Sequence, residues 1–221
     1  MTTFALIGAG PGLGAAVARR FGREGFDLAL ISRTQDHVDA LAASLNKDGI
    51  HARGFAADVR DHQALTAALD AATATLGPIE VLQYSPVPHK DFMKPVLRTT
   101  GDDLQGPLAF SLFGPMTAVK QALPGMRDLG RGTILFVNGG SAVRPHPERA
   151  GTSIAFAAES AYAAMLHDSL ASENIHVAQL IIPGAIAVGD EHTDPGLLAD
   201  TLWSLHQLRG DFRSYAAPMG T

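Results

Sequence analysis

The stretch that decides the fold is Gly8-Ala9-Gly10-Pro11-Gly12-Leu13-Gly14. An apolar run at residues 4–7, which reads as a strand, leads into it, and a helical stretch at 15–21 follows. Glycine tolerates positive φ and lets a phosphate come close to the backbone. A helix that starts immediately afterwards offers free N–H groups and the positive end of its dipole to that anion. Four glycines in seven residues at such a junction predict a dinucleotide-binding βαβ unit over residues 3–60. Gly8, Gly10, Gly12, Leu13 and Gly14 would cradle the pyrophosphate.

Outward from this loop, short apolar runs alternate with helical stretches. Strands are expected at 28–32, 52–57, 79–84, 133–138 and 176–182. Between them Val38, Leu41 and Leu45 recur at helical spacing, as do Leu65, Leu69 and Leu76. Leu104, Leu108, Leu112, Met116, Val119 and Leu123 form one long apolar stripe, read as core packing. Strand–helix alternation of this kind predicts an α/β chain: one Rossmann-type, doubly wound parallel sheet with helices on both faces, as a single domain over residues 1–221. Segments 85–95 and 143–152 follow strands at their carboxyl ends, where open parallel sheets bind ligands. The acidic segment 189–194 reads as a solvated loop.

Bulk composition narrows the function. The chain has 221 residues, 46% of them hydrophobic and 18% charged, with a formal net charge of −5. Such a chain can bury a full core, and without a basic run it is not expected to bind nucleic acid. It has no cysteine, which excludes disulfides and thiolate metal sites. Its nine histidines show no metal-ligand spacing, so no metal is expected. No apolar stretch reaches the roughly 18 residues of a membrane span. The N-terminus reads as a first strand rather than a signal peptide, and a cytoplasmic setting is the expectation.

The glycines follow Gly-x-x-x-Gly-x-Gly at Gly8, Gly12 and Gly14; a Gly-x-Gly-x-x-Gly form fails at Leu13. With that spacing the chain resembles the short-chain dehydrogenase/reductase family over nearly all of its length. Asp58-Val59 is similar to the family's adenine contact. Residues 121–126, ending Leu-Pro-Gly-Met, are similar to the close of its central helix, and Pro183-Gly184 to its nicotinamide-side turn. Cofactor choice is read at the end of the second strand. A ribose hydroxyl calls for an acidic residue there, and a 2′-phosphate for a cation. The sequence has Ser32-Arg33, and a guanidinium fork suits phosphate, so NADP(H) is the expected cofactor. Family members commonly form homodimers or homotetramers. The 104–123 stripe and the Ala-rich helix at 155–164 would permit either.

The resemblance breaks at the catalytic positions. It implies hydride transfer with a tyrosine as proton donor and a lysine four residues on, assisted by a serine and an asparagine. Aligned on a helix at 153–172, the tyrosine position is Phe156 and the lysine position Ser160. The asparagine position is Ser111, and the serine alone is kept, as Ser141. The family's Asn-Asn-Ala-Gly becomes Tyr84-Ser85-Pro86-Val87, in which Ser85 is assigned to the cofactor. Ile7 and Val188 replace two threonines. Three readings are open. One is an NADP(H)-dependent oxidoreductase of a small carbonyl or alcohol substrate, its proton donor Ser141, Tyr84 or His146; an imidazole is best matched to the task by intrinsic acidity. The others are a non-redox enzyme on a dinucleotide-binding fold and a cofactor-binding protein without catalysis. Tyr162, on another face of the helix from Phe156, reads as packing or interface.

Overall fold

The computed structural model describes residues 2–219. Seven strands form one parallel sheet in the order β3-β2-β1-β4-β5-β6-β7. They are β1 (Thr3–Ile7), β2 (Asp27–Ser32), β3 (Ala52–Ala56), β4 (Ile79–Tyr84), β5 (Gly132–Gly139), β6 (Ile175–Ile182) and β7 (Arg213–Tyr215). The helices are α1 (Leu13–Arg23), α2 (Gln35–Lys47), α3 (His62–Leu76), α4 (Gly101–Leu108), α5 (Gly114–Asp128), α6 (Ala150–Leu170) and α7 (Pro195–Leu208). This is the doubly wound architecture expected, with the six anticipated strands in place.

Period-two alternation divides the core. Phe4 and Leu6 of β1 pack with α1, α2 and α7 on one face, while Ala5 and Ile7 pack with α3, α5 and α6 on the other. Strand order reverses where β1 lies between β2 and β4, which opens a crevice at the carboxyl edge of the sheet. The backbone there is tied across strands. The N–H groups of Gly8 and Ala9 donate to Ile31 O at 2.9 and 3.1 Å, and Ser85 N–H donates to Ile7 O at 3.0 Å.

One expectation is corrected. The 104–123 stripe is not a continuous buried face: Val119 is buried, but Met116 is 43% exposed. A π-helical turn at Ala109–Phe113 separates α4 from α5. Pro115 has no N–H to close an i−4 bond, and a π turn accommodates the gap. The extra residue rotates the helix, so that Phe110, Ser111, Gly114, Ala118, Ala122 and Met126 carry the buried face. Helix α7 and strand β7 were not anticipated. Tyr162 packs edge-on against Phe136 with ring centroids 6.4 Å apart, and burial raises its hydroxyl to about 12.

Candidate functional site

Loop geometry separates the glycines of the β1–α1 turn. Gly8 sits at φ +95, and a Cβ there would lie 2.6 Å from Pro86 N and 2.7 Å from Ser85 C. The chain after β4 therefore requires glycine at this position. At Gly14 a Cβ would meet Ala9 Cα at 3.3 Å, where the helix start closes on the loop. Gly12 is different, with nothing within 4 Å of a Cβ. It caps α1 with no side-chain hydrogen bond, and the first turn holds no acid. Unpaired N–H groups with open space before them fit a phosphate, so the residues present suit a dinucleotide.

At the adenosine end, Ser32 closes β2 and Arg33 is exposed beyond it. Among the described residues no side-chain hydrogen bond engages Arg33. Asp58 is held by Arg60, whose Nη2 and Nε donate to the carboxylate at 2.7 and 3.1 Å. That bond, with a contribution from Arg33, lowers the Asp58 carboxyl below its usual range. Val59 is buried in the core, so only its backbone is available to a cofactor. Ser32, Arg33, Asp58 and Val59 lie outside the lining of the main cleft. Arg60, a second cation at this end, was missed in the sequence reading.

The main cleft encloses about 1290 Å³ and runs from the glycine loop past Ser85 to Ser141, His146, Phe156 and Pro183-Gly184. Ser141 and His146 thus share one space with the cofactor loop. His146 precedes a short 3-10 turn, and its Nδ1 accepts Glu148 N–H at 3.2 Å. Gly184 turns at φ +87. Tyr84 does not line this cleft and is corrected as a donor candidate. Its side chain shares the parity of Leu82, pointing to the α5 face. Its hydroxyl donates to Phe110 O, one of the carbonyls of the π turn, and Gly114 leaves room for it. Burial raises that hydroxyl well above its usual range.

Behind Phe156 runs a buried polar chain. Asn138 Nδ2 donates to Glu159 Oε2 at 3.0 Å, and Gln179 Nε2 donates to Asn138 Oδ1 at 2.8 Å. Gln179 Oε1 accepts Ser160 Oγ–H and Arg213 Nε–H, both at 2.9 Å, while Arg213 Nη2 donates to Ser160 Oγ at 2.8 Å. Ser160 is therefore engaged by β6 and β7 rather than turned to the cleft. Glu159 is fully buried with no partner on Oε1 among the described residues, and burial raises its carboxyl well above the usual range. Met219 packs with Phe156, Ala142 and Ile181 beside Gly140.

Residues 2–193 match the model of the short chain dehydrogenase family, and the chain belongs to that family. Among curated proteins it is 30% identical over 186 residues to a 2,3-dihydro-2,3-dihydroxybenzoate dehydrogenase of Bacillus subtilis (strain 168). The match covers 81% of this chain and 68% of that protein. It is 33% identical over 131 residues to a D-threitol dehydrogenase of Mycolicibacterium smegmatis, 59% of this chain and 49% of that one; the match thus spans about half of that relative. A solved short-chain dehydrogenase from Rhodopseudomonas palustris superposes with a TM-score of 0.86 at 26% identity, covering 98% of each chain. A metagenomic short-chain oxidoreductase in complex with NADP gives 0.84 at 21% identity, over 100% of this chain and 97% of that one. The family is one of oxidoreductases that bind nicotinamide dinucleotides. Among the described residues no helix is long and apolar enough to cross a membrane.

Proposed function

We propose that the chain is an NADP(H)-dependent oxidoreductase of a small carbonyl or alcohol substrate, with Ser141 and His146 in place of the missing tyrosine–lysine pair. The observation that carries this is the single cleft joining the glycine loop to Ser141 and His146. Gly8 to Gly14 and the α1 N-terminus hold the pyrophosphate, Arg33 takes the 2′-phosphate, and Ser85, Pro183 and Gly184 flank the nicotinamide half. Asp58 and the backbone of Val59 border the adenine. Bound NADPH supplies the hydride to the carbonyl carbon. Ser141 donates a hydrogen bond to the carbonyl oxygen and fixes its direction. Neutral His146 leaves its cap on Glu148, a loss of about 1 kcal/mol, takes a proton from solvent, gives a proton to that oxygen, and returns neutral to the cap.

The test is loss of NADPH absorbance with a panel of activated carbonyls, in the parent and in His146→Ala. The variant should lose about 100-fold or more in kcat; full turnover in it would remove His146 as the donor. A cofactor-binding protein without turnover is the second reading, favoured by Phe156 and by the engagement of Ser160 with Gln179 and Arg213. NADPH binding with no oxidation of any carbonyl selects it. The same proposal includes one domain per chain and a homodimer or homotetramer. Phe113 and Met116 on one outer stretch and Ile154 and Met165 on α6 are apolar and 42–62% exposed. Light scattering at the mass of one chain would refute the oligomer.

A further inference from the structure

Among the described residues, the titratable ones lining the cleft are Arg144, His146 and Arg149, and no Asp or Glu lines it, in a chain of formal net charge −5. All three stand on the connection between β5 and α6, directly after Ser141, and not on the glycine loop that serves the cofactor phosphates. The connection is tied down. Arg144 N–H donates to Gly140 O at 2.9 Å, Arg149 N–H to His146 O at 3.0 Å and Ala150 N–H to Lys94 O at 2.9 Å. His146 N–H donates to Ser153 Oγ at 3.0 Å. A backbone held in this way confines the ordering cost of binding to the side chains themselves. Two acids of the 189–194 segment bind backbone N–H groups. Asp190 accepts the N–H groups of His192 and Thr193, and Asp194 those of Gly189 and Gly196. Glu148 is exposed and outside the lining. No side-chain hydrogen bond or ion pair holds the Arg149 guanidinium among the described residues.

The same cleft has an apolar mouth. Val87 is 87% exposed and Val188 89% exposed; with Met93 and Ile186 they line the opening. Clustered apolar side chains facing water beside a few charged groups are the marks of a ligand site. We infer that the cleft takes an amphipathic substrate, an apolar carbonyl compound bearing an anionic group, either a carboxylate or a phosphate ester. Arg149 receives the anion, and the apolar body lies against Val87, Met93, Ile186 and Val188. The carbonyl, but not the anionic group, rests on the reductase function proposed above.

Calorimetric titration with octanoate, octyl phosphate and octanamide, which share an apolar tail, tests this on the protein with and without NADPH. At least one anion should bind about tenfold more tightly than the amide, through charge-assisted bonds, and the stronger of the two identifies the anion. Arg149→Gln should remove most of that preference, and Arg149→Lys should keep much of it. Equal affinity for all three probes, or binding of none, overturns the inference. So does an Arg149→Gln variant that weakens NADPH as much as the anions, since the guanidinium would then serve the cofactor. Retained anion preference in a protein that oxidises no NADPH would end the reductase reading and leave the anion site standing.

Discussion

Gly8 and Gly12 lie four residues apart in one loop, yet the structure gives them different tasks. Alanine at each should separate those tasks. At Gly8 a methyl group meets the backbone of Ser85 and Pro86 at 2.6–2.7 Å, and φ is +95. An L side chain in left-handed backbone costs about 1–2 kcal/mol, and overpacking against backbone that cannot rotate away adds about 1–3 kcal/mol. Gly8→Ala should therefore destabilise the fold by about 2–5 kcal/mol in urea unfolding. At Gly12 a methyl group meets nothing within 4 Å, so Gly12→Ala should stay within about 1 kcal/mol of the parent. The same methyl occupies the open space before the α1 N–H groups, where a phosphate would approach. Loss of charge-assisted bonds of about 1.5–3 kcal/mol should weaken NADPH at least about tenfold. Gly8→Ala costing under about 1 kcal/mol, or Gly12→Ala binding NADPH like the parent, would refute this division.

Other substitutions probe the remaining parts. Arg33→Ala should weaken NADPH about tenfold or more while leaving NADH within about twofold, as read by fluorescence titration; equal losses would remove Arg33 from the 2′-phosphate. Tyr84→Phe should lose about 1 kcal/mol of stability with its bond to Phe110 O and leave kcat unchanged, the reverse of His146→Ala. Burial raises the Glu159 carboxyl, so its folded form retains a proton that the unfolded chain releases near pH 4.3. Its contribution is full below that pH and falls by about 1.4 kcal/mol per pH unit as pH rises toward the folded value. Glu159→Gln should flatten that decline and melt above the parent at pH 8; identical pH slopes would show that Glu159 does not titrate in this way.

Much of the fold was legible because its signals are local. The alternation of Phe4 and Leu6 with Ala5 and Ile7 marks β1, and the glycines after it mark the turn. Strand β7 left no such signal: its three residues gain their identity by pairing with Gln179, Leu180 and Ile181. The π turn was equally hidden. A run of leucines at spacing four looks like one stripe until an inserted residue rotates it. Tyr84 could have been placed correctly, since strand parity sends it to the same face as Leu82 rather than into the crevice. The link from Ser160 to Arg213 spans 53 residues and has no local pattern to betray it. Nor did periodicity reveal that Arg149 faces the cleft, because a loop has no repeat to read.

The link from Ser160 to Arg213 also bears on what a change at residue 160 would do. Where the family resemblance places a lysine on α6, a guanidinium from the neighbouring edge strand β7 reaches the Ser160 hydroxyl. Phe156→Tyr with Ser160→Lys would restore the family's pair in name, but the ammonium would enter against Arg213 and displace it from Gln179. Two like charges would then compete for one buried acceptor, with the Asn138–Glu159 arm of the same chain left to rearrange. Ser160 is thus held in place by a residue on another strand. A lysine at 160 therefore calls for a further substitution at Arg213.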